Sequence, residues 1–213
     1  MIKNSNLTIY HNTSSGWVKS TYNDIWWYSK KDADINETYS KENDIDVRVW
    51  NETNIENFKI GDIVVKGVLD FEIESQFDLD DYLVYNITKL KNNDYAVNKH
   101  IHLTASLFQT NVELLKATKE KQKNGTYINI YDTIDKYKVK KLNITDDEVS
   151  ATIYGANITK MLRISSPSRN LENFLMSKVG NQQDNISYYY IKINNNIYKI
   201  NSVSQEKIDI ELI

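Results

Sequence analysis

The chain has 213 residues, 40% of them hydrophobic and 26% charged, with a formal net charge of −3 and a sequence pI of about 5.7. That balance supplies apolar material for one large or two small folded domains and excludes a disordered chain, while the acidic charge argues against a basic domain held to nucleic acid by phosphate neutralisation. There is no cysteine, which removes disulfides, thiolate metal sites and thiol nucleophiles together.

The first residues, Met1 to Leu7, lack the apolar run of a signal peptide, and no stretch of 18 or more apolar residues occurs. The expectation is synthesis in a cytoplasm, without export and without a membrane. Leu7 to Tyr10 alternates, Asn12 to Gly16 is a turn cluster, and Trp17 to Tyr28 resumes as a long aromatic strand. Ser29 to Asn43 is polar and charged, a loop of roughly fifteen residues, of a length that usually either works or stays disordered. Ile45, Val47 and Val49 alternate with Asp44, Asp46 and Arg48, the period of a half-buried strand.

Phe58 to Ile73 reads as a strand around Ile63-Val64-Val65, with a turn at Gly61-Asp62 and a bulge or bend at Gly67. Asp78 to Asp81 is an acidic turn or single helical turn leading into a strand over 82–90. Lys91 to Asp94 makes the next turn, and His100 to Ala105 closes the first half. After a short linker around Ser106 to Asn111, a strand runs from Val112 to Ala117. A Lys-rich hairpin tip ends at Asn124-Gly125, both of which accept positive φ, and a long strand starts at Tyr127. Thr145 to Glu148 is an acidic turn before a strand from Val149 to Ile164. Leu171, Phe174, Leu175 and Lys178 follow at helical spacing, with Ser168 or Asn170 as N-cap and Gly180 past the end. Tyr188 to Ile193, the Asn194-Asn195-Asn196 turn and Ile197 to Val203 form a hairpin, and Ile208, Ile210 and Leu212 mark a last strand.

The two halves end alike. Val84-Tyr85-Asn86-Ile87-Thr88-Lys89-Leu90 matches Ile197-Tyr198-Lys199-Ile200-Asn201-Ser202-Val203 as aliphatic-Tyr-polar-Ile-polar-polar-aliphatic, and each is followed by an alternating strand. The expected fold is therefore mainly β: two small β-barrel or β-sandwich domains in tandem, 1–108 and 109–213, with one short helix near 170–179.

Candidate chemistry is sparse. His100 and His102 share one strand face, as a metal site could require, but Ile101 and Leu103 take the buried face and leave the histidines outward, with no third ligand at a fixed spacing. The clusters Asp78-Asp80-Asp81 and Asp146-Asp147-Glu148 could serve glycoside hydrolysis or a hard cation. Neither has calcium-loop spacing, and both sit where turns are needed. No nucleophile elbow, phosphate loop or dinucleotide fingerprint is found. Asn-x-Ser/Thr matches such as Asn51-Glu52-Thr53 arise by chance in so Asn-rich a chain. Trp26-Trp27-Tyr28 could stack on a carbohydrate, but aromatic strands of this kind more often divide between core and subunit interface.

The stretch Asp146 to Asn157 running into Lys160 to Ser166, with the Asn196 to Ile200 hairpin and Ile208 to Leu212, resembles small head–tail connector proteins of tailed bacteriophages. These are the head-completion, stopper or adaptor β-barrels of the neck. The first half, through Gly61 to Gly67 and Val84 to Leu90, is similar to small proteins of phage structural modules. The resemblance implies a non-enzymatic virion protein without a cofactor, assembled in the host bacterial cytoplasm. It would form a homo-oligomeric ring, six-fold or else twelve-fold, between portal or adaptor proteins and tail-tube or terminator proteins. Double-stranded DNA would pass through without sequence-specific binding, which suits an acidic chain. Candidate interface residues are Trp26, Trp27 and Tyr28; Lys30, Lys31, Asp32, Asp34 and Glu37 in the long loop; Lys119, Lys121 and Lys123 at the hairpin tip; and Asp146, Asp147 and Glu148. The alternatives are a carbohydrate- or receptor-binding β-module using Trp26, Trp27 and Tyr28, and a glycan-processing enzyme using an acidic cluster.

Overall fold

Alternating apolar and polar residues build twelve strands among the residues that the computed structural model describes, 3–29, 44–50, 54–93, 99–142 and 160–213. They divide into two units, Met1–Phe108 and Gln109–Ile213. In the first, β1 (Ser5–Thr13), β2 (Gly16–Ser29), β3 (Asp44–Val49), β4 (Ile63–Lys66), β5 (Tyr85–Asn93) and β6 (His100–Leu107) close into an antiparallel barrel in the order β1-β2-β3-β6-β5-β4. In the second, β7 (Thr110–Lys121), β8 (Tyr127–Leu142), β9 (Met161–Ser165), β10 (Tyr189–Ile193), β11 (Asn196–Val203) and β12 (Ile208–Leu212) close as β7-β8-β9-β12-β11-β10. The second order is the first with six added to every strand number. Closure leaves no strand of either ring without two neighbours.

The registers coincide as well. Val64 faces Tyr85 and Ile9 in the first barrel, as Ile191 faces Tyr198 and Leu114 in the second. Going the other way round, Leu103 faces Leu90 and Val47, as Ile208 faces Val203 and Ile164. The repeated heptapeptide noticed in the sequence lies on β5, except for its first residue Val84, and on β11, and each copy carries a β-bulge at the same place. The register shifts across Thr88 in one and across Asn201 in the other. Equivalent inward positions are apolar in both barrels, with Leu7, Ile9, Val47, Val64 and Leu103 in one core and Val112, Leu114, Ile164, Ile191 and Ile208 in the other. Each such buried aliphatic side chain contributes roughly 1.5–3 kcal/mol relative to exposure.

The barrels differ in what decorates them. In the first, β4 joins β5 through residues 67–84, which lie over the outer face of β1 and β4 and form a satellite core of Tyr10, Ile63, Val65, Ile73, Leu79 and Val84. Gly67 starts the excursion at φ +101°, a conformation L side chains rarely adopt. Its carbonyl accepts from the Thr8 hydroxyl at 2.8 Å. The strand expected over Phe58 to Ile73 is accordingly only four residues long, and the acidic turn is a 3-10 turn, Gln76–Leu79, closed by a Ser75–Asp78 capping box. In the second barrel a tight Asn194-Asn195 turn does the same job, with Asn194 at φ +55°.

The second barrel adds a helix, α1 (Asn170–Met176), whose Leu171 and Leu175 enter the core. A seven-residue helix is not stable alone, so this burial holds it. Its N-cap is Arg169 rather than Ser168 or Asn170, and the Arg169 side chain makes no capping bond. Ser168 and Arg169 turn left-handed, and the Ser166 hydroxyl accepts from Leu171 N at 3.0 Å while the buried Glu172 carboxylate accepts from Ser166 N at 2.8 Å and from its hydroxyl.

Two further expectations change. Lys91 to Asn93 stay in β5, paired with His102, Ile101 and His100, because β6 is long enough to continue the ladder. The connection between the units shortens to Phe108 and Gln109. The 30–43 part of the long loop, the acidic turn at Thr145 to Glu148 and residues 149–159 of the expected strand lie outside the described residues, as does Asp94.

Candidate interaction faces

Three outward surfaces collect the charged and aromatic side chains. The first follows β2, β3 and β6. Alternation sends Trp27 inward, where it is buried edge-on against Tyr85 at 5.6 Å, and sends Trp26 and Tyr28 outward, stacked at 5.3 Å and nearly parallel. The Arg48 guanidinium, directly across on β3, lies 4.6 Å from the centre of the Trp26 ring. Further along the same face His102 Nε2 is 3.4 Å from Asp46 Oδ1, and Thr104 donates to Asp46 Oδ1 at 3.0 Å. His100 packs on Trp50 at 5.5 Å, with Asn93 Nδ2 2.9 Å from its Nε2.

The two histidines, expected to face outward, lie on that outer face but are covered there by neighbouring side chains. His100 is buried and His102 half-buried, since cross-strand neighbours on a closed barrel screen the outer face too. Among the described residues no three His, Asp or Glu side chains group to hold a metal.

The second barrel serves as an internal comparison. Its β8 places Lys140, Lys141 and Leu142 where β2 has Trp26, Trp27 and Tyr28, the match following from Val47 facing Trp27 and Ile164 facing Lys141. The strand forms without aromatic residues there, so Trp26 and Tyr28 are not demanded by barrel closure. Asp46 and Thr104 likewise correspond to Arg163 and Asp209. These two are buried, with Arg163 donating to Asp209 from Nε at 2.7 Å and from Nη2 at 3.3 Å.

The second surface is the β7–β8 ribbon. Lys119 and Lys121 are exposed near the tip with Lys123 beside the Asn124-Gly125 turn, and Tyr127, Ile128, Ile130 and Ile134 are exposed along β8. The third is the 67–84 lobe, where Val68, Phe71, Tyr82 and Leu83 are exposed among carboxylates.

A fourth group is structural. Asp184 accepts from Lys116 Nζ at 2.7 Å, from Lys178 Nζ at 2.6 Å and from the Tyr189 hydroxyl at 2.8 Å, tying the turn after α1 to β7 and β10. The bonds from Lys116, then Lys178, then Tyr189 hold this carboxyl well below its ordinary value of 3.8. As pH falls the unfolded chain therefore takes up the proton first. The contribution to stability is complete above the ordinary carboxylate range and is lost as pH drops below it. Asp184→Asn is expected to flatten the acid limb of the melting temperature between about pH 4 and pH 2; an unchanged limb would show that other carboxylates set it.

Of the residues singled out in the sequence, Trp26, Tyr28, Lys119, Lys121 and Lys123 lie on outer surfaces and Trp27 lies in the core. Lys30, Lys31, Asp32, Asp34, Glu37, Asp146, Asp147 and Glu148 fall outside the described residues. Sequence reasoning missed Arg48 as the companion of Trp26, and the pairings of Asp46 with His102 and Thr104 and of Trp50 with His100, because these partners are distant in the chain. It also missed the Asp184 group.

Residues 2–106 match the model of DUF6751, a family of unknown function. The DUF6751 match spans the first barrel, from β1 to the penultimate residue of β6. A comparison with curated proteins finds no match.

Proposed function

We propose that the chain is a non-enzymatic structural protein that joins other proteins through the outer surfaces of its two barrels. The specific setting is a head–tail connector ring in a phage neck, between portal-side proteins and the tail, around a channel for double-stranded DNA. One observation carries this reading: the same barrel is built twice, strand for strand, while the two copies diverge in their outward elaborations. A duplicated scaffold with divergent surfaces suits a joint that must meet different neighbours on its two halves. Electron microscopy of the purified protein tests it. Closed rings, six-fold favoured, are the expected result, and antibody labelling of virions would fall on the neck. A monomer at every concentration, or label at a distal fibre tip, would exclude the neck reading.

A second reading rests on Trp26 and Tyr28, which the fold does not require to be aromatic. A glycan- or receptor-binding module would use that stack, with Arg48 as a polar neighbour. Trp26→Ala should then abolish binding on a glycan array without changing the oligomeric state, and equal binding by the variant would exclude it.

A further inference from the structure

We propose that the β7–β8 ribbon of one chain docks on the 67–84 lobe of the first barrel of a second copy, a head-to-tail contact. The inference deepens the assembly reading and rests on it.

The ribbon first. Tyr10 in β1 corresponds to Leu115 in β7, and β1 continues three residues past that point, to Thr13, whereas β7 continues six, to Lys121. The second hairpin thus reaches about 10 Å further than the first. Along this extension Ile128 and Ile130 lie on one face opposite Glu120 and Thr118, and Tyr127 lies on the other opposite Lys121. Tyr127 is 63% exposed, Ile128 45% and Ile130 39%, so neither face meets a core. Among the described residues no strand pairs with the outer edge of Tyr127 to Tyr137. A two-stranded ribbon with both faces in water is marginal alone, and an open edge this long is a site where chains associate.

The lobe is its complement. Residues 67–84 carry Asp70, Glu72, Glu74, Asp78, Asp80 and Asp81 and no lysine or arginine. Amid these carboxylates Leu83 is 59% exposed, Val68 48% and Tyr82 41%. The ribbon tip carries Lys119, Lys121 and Lys123 against one carboxylate, Glu120. Each surface thus combines exposed apolar side chains with charge of one sign, opposite to that of the other.

The occupant follows from where they lie. The long ribbon belongs to the second barrel and the lobe to the first, and each is what its twin lacks. Both are present once per chain. Opposite charges steer such surfaces together and disfavour ribbon on ribbon or lobe on lobe. A contact between two different surfaces of identical chains is heterologous, and it closes into a ring or grows as a filament.

Charge exchange in the full chain tests this. One variant carries Lys119→Glu, Lys121→Glu and Lys123→Glu; the other carries Asp70→Lys, Glu74→Lys and Asp81→Lys, which spares the Asp78 capping box and the Lys19–Glu72 ion pair. Self-association is read by sedimentation velocity over a concentration series, with circular dichroism to confirm folding. The wild type should assemble and each variant should require at least about tenfold more protein to do so. An equimolar mixture should regain wild-type assembly, because the acidic ribbon then meets a basic lobe and the basic ribbon an acidic one. Undiminished assembly of either variant, or a mixture that stays dissociated, overturns this contact and leaves the assembly reading standing. A wild type that stays monomeric overturns both.

Discussion

Asp209→Ala is expected to destabilise the second barrel by about 3–5 kcal/mol, because it leaves the Arg163 guanidinium buried without its carboxylate. Both side chains are almost fully buried, and Asp209 also accepts from the Ser202 hydroxyl at 3.0 Å, so the substitution removes a second bond as well. Urea unfolding followed by circular dichroism should show an early transition for this unit. The first barrel fills the equivalent positions with Asp46 and Thr104, which hydrogen-bond at 3.0 Å. Writing that pair into the second barrel, Arg163→Asp with Asp209→Thr, should therefore recover a large part of the loss. A single Asp209→Ala cost below about 1 kcal/mol would mean that the site admits water or that the arginine finds another acceptor.

Trp27→Ala should cost the first barrel about 3–5 kcal/mol, as for other large core aromatics. Trp26→Ala, one residue away, should cost about 1 kcal/mol or less, chiefly the contact with Arg48. The contrast follows from one strand passing between core and solvent: Trp27 is in the hydrophobic core cluster with Val47 and Leu103, while Trp26 is half-buried outside it. Thermal melts of the two variants decide it, and equal losses would contradict the placement of the two rings. The same contrast makes Trp26 the residue with which to probe ligand stacking, since Trp27→Ala would remove binding by unfolding the strand.

Much of the fold was legible in the sequence because most strands bury one face. Asp44 to Val49 alternates in the sequence and in burial alike, and the heptapeptide pair Val84 to Leu90 and Ile197 to Val203 marks equivalent strands even to the bulged residue. Less of the interaction surfaces was legible. Lys119, Lys121 and Lys123 were visible as a tip, but the exposure of Ile128, Ile130 and Ile134 was not, since a period-two run looks the same whether its apolar side meets a core or water. Tyr10, Ile63 and Val65 would by alternation face outward into solvent, and instead they lie under the 67–84 lobe. Arg48 and His102 could not be joined to Trp26 because their neighbourhood is made by pairing across β2, β3 and β6.

What the sequence determined by itself was local: which segments are strands, where Gly67, Asn124-Gly125 and Asn194-Asn195 turn the chain, and that two halves repeat one motif. These follow from side-chain alternation and from the φ each turn residue tolerates, both properties of a few adjacent residues. Tertiary structure alone decided that β1 meets β4 and β3 meets β6, closing each ring. It also decided which outward side chains end up buried and which elaborations stand free. Those outcomes depend on contacts between residues far apart in the chain, whose loop-closure cost is met only when the whole barrel forms at once.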